Sequence, residues 1–232
     1  MEVSSALASR KVVLFDAGGT LITLDFDCIR QALGEDVASL PDAGLEGGDG
    51  RARRWADGAV RGGASTRELW DGYFSSLLRG GGFAEARMDW ALDALRKANR
   101  EDGLWRRPIP GARELLARLR RTGRRLAVVS NAEGQVEADL RKAGLADDLE
   151  VVIDSFHVGV AKPDPRIFEI ALERLGVDAQ QAVYVGDVPA YDVDGARAAG
   201  IAPILIDPYG IHPGVDVPRL RKLGELAALL GC

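Results

Sequence analysis

The chain has 232 residues, of which 47% are hydrophobic and 28% are charged, and its formal net charge is −5. This length and composition predict one folded domain, or one domain with a smaller insert, and exclude a disordered or fibrous chain. The acidic balance argues against binding of nucleic acid, which requires a basic face. No signal-peptide pattern occurs, and no apolar run reaches the ~18 residues of a membrane helix, so we expect a cytoplasmic protein without a membrane segment.

The first element that the sequence predicts is a buried strand ending in a carboxylate. Val12–Phe15 is too short for a helix and rich in β-branched and aromatic residues, which is typical of a strand buried on both faces. Asp16 follows this strand. Gly18 and Gly19 then allow a sharp turn that brings backbone N–H groups close to whatever Asp16 faces. This arrangement suits a nucleophile beside an anion.

Helical periodicity dominates between Ile22 and about Trp105. The expected helices cover residues 24–40, 51–60, 65–78 and 84–99. A stretch rich in Gly and Asp, residues 42–50, is interpreted as a loop. Ser65 and Glu68 have the spacing of a capping box. The tryptophans of this stretch are interpreted as its small core; they are Trp55, Trp70, Trp90 and Trp105.

From Pro108 onward, strand and helix patterns alternate. The expected strands are 125–129, 151–153, 182–185 and 204–206, and the expected helices are 111–121, 133–143, 164–175 and 190–199. Such alternation indicates parallel βαβ units. The sequence therefore predicts an α/β protein with a doubly wound parallel sheet formed by residues 1–24 and 106–232, interrupted by a helical insert at 25–105.

Polar residues follow the expected strands, at the edge where a doubly wound sheet binds its ligands. Besides Asp16 they are Ser130, Asn131, Lys162, Asp187 and Asp192. Pro163 disfavours helical geometry at the residue before it, so Lys162 is expected in an extended segment. Each residue alone could belong to a turn, a helix cap or a solvated surface. Their common edge favours one shared site.

In order and spacing, these motifs resemble those of the haloacid dehalogenase superfamily. The matching segments are Asp16 to Thr20, Ser130-Asn131, Lys162-Pro163, and Gly186-Asp187 with Asp192. The insert is similar to the small α-helical cap of phosphoglycolate phosphatase-like enzymes. The resemblance implies a Rossmann-like core, a cap over residues 25–105, and a Mg²⁺-dependent phosphohydrolase that acts on a small phosphorylated metabolite.

The resemblance also assigns the metal ligands and the nucleophile. Asp16 would attack phosphorus and form an aspartyl-phosphate that water then hydrolyses. Asp16 and Asp187 would hold one Mg²⁺, a hard cation that prefers oxygen ligands. Asp192 would either support this site or ligate through water, and the backbone carbonyl of Gly18 would be a further ligand.

A second group of residues would bind the phosphoryl oxygens. Lys162 would contribute positive charge. Hydrogen bonds would come from Ser130, Asn131 and the N–H groups of Gly18 and Gly19. Such donors, when fixed in advance, are typically worth about 3 kcal/mol each.

Position 18 departs from the phosphatase pattern, in which a second Asp stands two residues after the nucleophile as general acid and base. Gly18 offers no side chain for this role, which is typically worth about 10²–10⁴-fold in rate. His157, Asp25 and Asp27 are alternative acids, although a loop position or helix capping explains them equally well. We therefore expect a preference for substrates with good leaving groups.

Other interpretations remain open. A haloacid dehalogenase would have no use for the acidic pair Asp187 and Asp192. A phosphonatase needs a lysine in its cap, but no lysine lies between Lys11 and Lys97, and Lys97 falls late in the insert. A relative without activity could bind a phosphometabolite or a protein partner. The insert's arginines could bind a substrate anion or form a solvated face; they include Arg51, Arg53, Arg54 and Arg61. The sequence specifies neither the substrate nor the oligomeric state.

Overall fold

The computed structural model describes residues 6–34 and 40–232. In chain order the strands are β1 Val12–Phe15, β2 Ile22–Leu24, β3 Trp105–Pro108, β4 Arg125–Ser130, β5 Val151–Asp154, β6 Ala182–Gly186, β7 Ala202–Ile206 and β8 Arg219–Leu220. Six of them form a sheet in the order β5-β4-β1-β6-β7-β8, and β2 pairs with β3 separately. All pairings in the larger sheet are parallel.

The helices follow the alternation that the sequence predicts. They are α1 Phe26–Leu33, α2 Asp42–Arg61, α3 Thr66–Gly81, α4 Met88–Asp102, α5 Ala112–Arg121, α6 Val136–Lys142, α7 Ser155–Val158, α8 Pro165–Leu175, α9 Asp194–Ala198 and α10 Glu225–Leu229. From β1 the chain builds the sheet toward β5 in one direction, and from β6 toward β8 in the other. The doubly wound α/β fold is therefore confirmed, and its switch point lies between β1 and β6.

The central strand β1 is buried throughout, as its apolar sequence predicts. Val12 and Leu14 belong to one apolar cluster with Ile167 and Phe168 of α8. The N–H of Asp16 donates to the carbonyl of Val185 in β6 at 2.8 Å, so the strand ladder continues to the carboxylate. Packing and register together fix Asp16 at the carboxyl end of the sheet.

The chain forms two compact units. One contains the larger sheet and comprises the residues up to Thr23 and from Arg106 onward, and the other is Leu24–Trp105 with helices α1 to α4. Nowhere in 6–34 or 40–232 is a helix both long and apolar enough to cross a membrane.

The first helix of the insert is shorter than predicted. The side chain of Asp25 accepts the N–H of Asp27 and starts α1, and Gly34 ends it with a left-handed φ of 77°. A glycine at this position stops a helix because it tolerates the left-handed conformation. Of the predicted helix 24–40, residues 35–39 lie outside the described residues.

The prediction of a loop at residues 42–50 is wrong, because this stretch opens the 20-residue helix α2. Two of its glycines, Gly44 and Gly48, face α3 at very close range. A Cβ on Gly48 would overlap the carbonyl of Leu77, and one on Gly44 would lie 3.1 Å from the Cα of Gly81. Each glycine costs a helix about 1 kcal/mol relative to alanine. Close packing of the two backbones offsets that cost here.

Two of the four tryptophans pack with the core of the insert, as predicted, and two do not. Trp70 and Trp105 pack against the apolar cluster of the insert. Trp55 and Trp90 are 38% and 45% exposed. The Trp90 ring lies beneath the guanidinium of Arg87, with 4.3 Å between the guanidinium carbon and the ring centroid. The capping box of Ser65 and Glu68 at the start of α3 is confirmed.

The close contact of α2 and α3 makes a stability prediction. Gly48→Ala should lower the free energy of unfolding by about 1–3 kcal/mol, because its methyl group has no space against the α3 backbone. Gly58→Ala is the matched control: it lies in the same helix, with nothing within 4 Å of its Cβ. That variant should gain up to about 1 kcal/mol in urea unfolding. Equal effects of both substitutions would contradict the packing explanation.

Candidate active site

The candidate residues lie at the carboxyl ends of adjacent strands. Asp16 follows β1, Ser130 ends β4 and Asp187 follows β6, and β1 lies between the other two. All three side chains are buried. The sheet therefore brings two carboxylates and a hydroxyl to one edge, on both sides of its switch point.

Lys162 connects the carboxylates of this edge. Its Nζ donates to Asp16 Oδ1 at 2.6 Å, to Asp192 Oδ1 at 2.8 Å and to the hydroxyl of Tyr184 at 2.9 Å. An ammonium group has three N–H donors, so every donor of Lys162 has an acceptor. Burial lowers the pKa of Lys162, but Asp16 and Asp192 outweigh this effect and raise the pKa above its usual range. The lysine is therefore charged at neutral pH.

Besides the ammonium group of Lys162, this edge holds three buried carboxylates. They belong to Asp16, Asp187 and Asp192, each with at most 6% of its surface exposed. Burial raises the pKa of Asp16, Lys162 lowers it, and Asp192 raises it further. A buried excess of negative charge is costly unless a cation compensates it. The electrostatics of the edge thus favour a bound cation.

Asp192 uses both carboxylate oxygens within the protein. Besides Lys162, Oδ1 accepts from Tyr184 at 3.0 Å, while Oδ2 accepts the N–H groups of Asp187 and Val188 at 2.9 and 2.8 Å. A π-helical turn at Pro189–Val193 returns the side chain to the loop after β6. These contacts favour the supporting role over ligation: Asp192 holds the loop of Asp187 and the ammonium of Lys162 in place.

Asn131 is engaged with the backbone of Lys162. Its Nδ2 donates to the Lys162 carbonyl at 2.9 Å, and its Oδ1 accepts the Lys162 N–H at 2.7 Å. The Lys162–Pro163 peptide is cis. Asn131 therefore positions the lysine segment relative to the end of β4, and its direct contact with a phosphoryl group stays a prediction, as does that of Ser130.

The two glycines that follow Asp16 and Ala17, Gly18 and Gly19, differ in conformation. Gly19 has a left-handed φ of 84°, and its N–H donates to the carbonyl of Ile22 at 2.7 Å. This N–H is thus already engaged inside the turn, and the glycine supplies backbone freedom there. Gly18 pairs with Ile22 in an isolated bridge and is not among the glycines with positive φ. A side chain at position 18 would therefore meet no left-handed backbone strain.

The alternative acids have local structural roles. His157 is exposed, and its Nε2 lies 3.3 Å from the carbonyl of Gly134. Asp25 caps α1, and Asp27 forms an exposed ion pair with Arg30 at 2.8 Å. None of these contacts involves a residue of the carboxylate edge. These contacts therefore do not support a role of His157, Asp25 or Asp27 as the missing general acid.

The arginines of α2 separate into two kinds. Arg51 and Arg54 are exposed, as expected of a solvated face, and Arg61 lies 3.5 Å from Asp57 in an exposed pair. Arg53 is instead 5% exposed, and its Nε donates to Asp49 at 2.8 Å. Its guanidinium is therefore part of a buried ion pair inside the helical unit.

Sequence reasoning did not identify the two tyrosines of the site. Tyr184 lies in the apolar run of β6, where it looks like an ordinary core residue. Its hydroxyl, which has one proton to donate, lies 3.0 Å from the carbonyl of Val129 and 3.0 Å from Asp192 Oδ1. Tyr191 precedes Asp192, and burial raises the pKa of its hydroxyl. The available signal was that a buried tyrosine needs a partner for its hydroxyl.

A cation at this edge would have oxygen ligands. Across the described ranges 6–34 and 40–232, no group of three or more His, Cys, Asp or Glu side chains is arranged to hold a metal. The side chains of Asp16 and Asp187 would need help from a backbone carbonyl, such as that of Gly18, and from water. Such mixed oxygen sets, with few carboxylates, suit Mg²⁺. The oxygen atoms that these residues offer therefore fit a Mg²⁺ ion.

Comparison with known proteins defines the family. Residues 10–200 match the family model of haloacid dehalogenase-like hydrolases. The chain belongs to this family, and the predicted membership is confirmed.

Several relatives of the chain are named as phosphatases. A phosphatase of Mycobacterium tuberculosis is 31% identical over 228 residues, covering 96% of this chain and 97% of that protein. Phosphoserine phosphatase of Thermus thermophilus is 42% identical, over 45% of this chain and only 42% of the relative. Phosphoglycolate phosphatase of Rhodospirillum rubrum is 39% identical, over 52% of this chain and 50% of the relative. The chain thus matches about half the length of several relatives.

Solved structures support the fold across the whole chain. The HAD-hydrolase YfnB of Bacillus subtilis, in a crystal structure with bound magnesium, has a TM-score of 0.68 and 25% identity, and covers 96% of this chain and 99% of its own. The crystal structure of a dehalogenase with an intermediate has a TM-score of 0.65 at 24% identity, covering 97% of this chain and 98% of its own. The latter likeness shows the fold alone.

The hydrogen bonds between Asn131 and Lys162 predict a loss of hydrolysis rate that can be separated from a loss of stability. Asn131→Ala removes two hydrogen bonds to the Lys162 backbone and should lower the free energy of unfolding by about 1–3 kcal/mol. Hydrolysis of an aryl phosphate should fall by up to about 10²-fold, because small displacements of a catalytic group are costly.

Ser155→Ala is the matched control for Asn131→Ala. The Ser155 hydroxyl bonds both the N–H and the carbonyl of Ala132, at 3.1 and 3.2 Å, so it also closes two hydrogen bonds beside the same strand end. This variant should lose similar stability and retain its rate. A matching loss of rate in Ser155→Ala would argue that general instability, rather than the position of Lys162, causes the defect.

Proposed function

We propose that this protein is a Mg²⁺-dependent phosphohydrolase that acts on a small phosphorylated metabolite through an aspartyl-phosphate on Asp16. The observation that carries the proposal is the buried contact of Lys162 with Asp16, 2.6 Å, at an edge that also holds Asp187. The phosphatase names of several relatives support the reaction class. The cytoplasmic location stays a prediction.

The proposed reaction begins with attack of the Asp16 carboxylate on phosphorus. A bond forms between a carboxylate oxygen and phosphorus, and the bond from phosphorus to the leaving oxygen breaks. Water then attacks phosphorus, releases phosphate and restores the carboxylate. Lys162 holds Asp16 in place and compensates charge on the phosphoryl group. Asp192 acts indirectly, since its contacts fix Lys162 and the loop of Asp187.

Magnesium would be held by Asp16, Asp187 and the carbonyl of Gly18, together with water. When bound, it supplies the positive charge that a phosphoryl group requires among carboxylates. Without such a cation, three buried carboxylates at an edge with a single lysine would repel an anionic substrate. The same repulsion disfavours a halogenated carboxylate, and with it the dehalogenase alternative.

We further propose that the helical unit acts as the cap. A unit joined to the core by two chain crossings can close over an active site and exclude water during transfer. It would restrict the substrates to small molecules. A substrate screen would identify the small phosphorylated molecule that the cap admits.

The alternative function is a phosphometabolite-binding relative without turnover. The observation that favours it is Gly18, which leaves the site without the acid and base of the phosphatase pattern. The two functions differ in one measurement, because only the hydrolase releases phosphate from an aryl phosphate in the presence of Mg²⁺.

The nucleophile assignment predicts that Asp16→Asn lowers the kcat for an aryl phosphate by more than about 10⁴-fold, since loss of a nucleophile removes the covalent route. Excess chelator should abolish activity of the native protein, and Mg²⁺ should restore it. Asp207→Asn is the control, because Asp207 is likewise buried after a strand, and its carboxylate accepts the N–H groups of Ile211 and His212 instead of Lys162. Phosphate release by Asp16→Asn at the native rate would refute the proposed mechanism.

The missing acid predicts a steep dependence of kcat/KM on the pKa of the leaving group. Aryl and acyl phosphates should be far better substrates than sugar or alkyl phosphates, because their leaving oxygens depart without a proton. Gly18→Asp should narrow this gap by a sizeable part of the ~10²–10⁴-fold that a general acid contributes. The substitution is feasible because the left-handed φ belongs to Gly19.

Two variants serve as controls in this leaving-group series. Gly18→Asn adds a side chain of the same shape without an acid and should leave the gap unchanged. His157→Ala tests the remaining histidine candidate. A flat dependence in the native protein that turns steep in His157→Ala would show that His157 is the acid.

A further inference from the structure

The lysine that should contact the substrate has no donor left in the resting site. Lys162 uses its three N–H groups for Asp16, Asp192 and Tyr184, at 2.6, 2.8 and 2.9 Å. Its side chain is only 3% exposed. A phosphoryl oxygen can therefore accept a hydrogen bond from Lys162 only if one of these three acceptors is released.

Among the three acceptors, Tyr184 is the one whose loss costs least. Asp16 and Asp192 are carboxylates, and their hydrogen bonds to an ammonium are strengthened by charge, whereas the Tyr184 hydroxyl is neutral. Burial raises the pKa of Tyr184 well above its usual range, which keeps the hydroxyl protonated. The two carboxylates would continue to hold Lys162 after release.

Tyr184 also keeps partners when the lysine turns away. Its hydroxyl lies 3.0 Å from the carbonyl of Val129 and 3.0 Å from Asp192 Oδ1, and it can donate its single proton to either. The exchange therefore leaves no buried hydroxyl without a hydrogen bond. A buried polar atom that lost its last partner would make the exchange unfavourable.

We propose that the Tyr184 hydroxyl occupies, in the resting site, the Lys162 donor that the phosphoryl group of the substrate takes over. This inference rests on the proposed function and names Tyr184 as a positioning residue for Lys162. The tyrosine holds the ammonium in place before the substrate arrives, and it competes with phosphate for the same N–H. Its presence therefore weakens the binding of phosphate.

Tyr184→Phe separates the hydroxyl from the ring. The ring packs edge-on against Phe168, with centroids 4.9 Å apart and an interplanar angle of 80°, and phenylalanine retains this contact. Without the hydroxyl, one N–H of Lys162 lacks its acceptor in the free protein and regains one when phosphate binds. The free state is destabilised more than the bound state, so affinity for phosphate increases.

The experiment measures binding of inorganic phosphate to the full chain in Mg²⁺ by calorimetry. Tyr184→Phe should lower the Kd of inorganic phosphate by about two- to tenfold, the effect of one hydrogen bond. The thermal midpoint of the free variant should fall, and saturating phosphate should raise it by more than in the native protein. Lys162→Met should lose phosphate binding.

Phe168→Leu is the control for packing alone. It disturbs the ring contact of Tyr184 and should lower the thermal midpoint without changing the Kd of phosphate. An unchanged or weaker affinity of Tyr184→Phe for inorganic phosphate would overturn the proposal that phosphate takes over the Lys162 donor from Tyr184. Failure of the native protein to hydrolyse any phosphate would overturn the proposed function alone, because the binding test needs no turnover. If the native protein binds no phosphate, both are wrong.

Discussion

One ammonium group balances part of an acidic cluster at the carboxyl edge of the sheet, and the rest of the site depends on it. Lys162 reaches Asp16, which lies 146 residues away in the sequence, and Asp192, 30 residues away. Taking these ions out of water costs several kcal/mol each, and good geometry with further hydrogen bonds is needed to compensate. The contacts of Lys162 thereby tie together the end of β1, the turn after β6 and the segment before α8. Three buried carboxylates and one lysine leave the edge with an excess of formal negative charge, which suits a divalent cation.

The surrounding backbone makes this ion cluster rigid. Asn131 closes two hydrogen bonds on the Lys162 backbone, and Asp192 accepts two N–H groups of the loop after β6. Asn131 and Asp192 thus each have fixed partners beside the charged groups. A site that must stabilise developing charge benefits from such preorganisation, because groups held by fixed partners do not have to reorient during the reaction. The polar supports of the site are therefore as important as the residues that would meet the substrate.

Periodicity and strand ends were sufficient to predict the doubly wound sheet and the edge at which the candidate residues meet. The parallel strands read as apolar runs because both of their faces are buried, and their order placed Asp16, Lys162 and Asp187 at one edge. The first half of α2, residues 42–50, was missed because its glycines look like a loop in sequence, while the close approach of α3 that favours them is a tertiary contact. The contacts of Asn131 and Tyr184 with Lys162 were missed for a related reason. They join residues 31 and 22 positions apart, and no spacing rule encodes such contacts.

Charge balance also gives a physical reason why a glycine can stand at position 18. The left-handed conformation of this turn is confined to Gly19, so the backbone does not require a glycine at the preceding position. A fourth carboxylate there would add negative charge to an edge that already holds three buried carboxylates and one lysine. Like charges at short range in a buried site raise the cost of ionisation and repel an anionic substrate. In the proposed phosphohydrolase, a site without that carboxylate would give up proton transfer to the leaving group but would present a less repulsive surface to a phosphoryl group. Substrates whose leaving groups need no proton would then be favoured, and the donors around Lys162 would contribute more to binding.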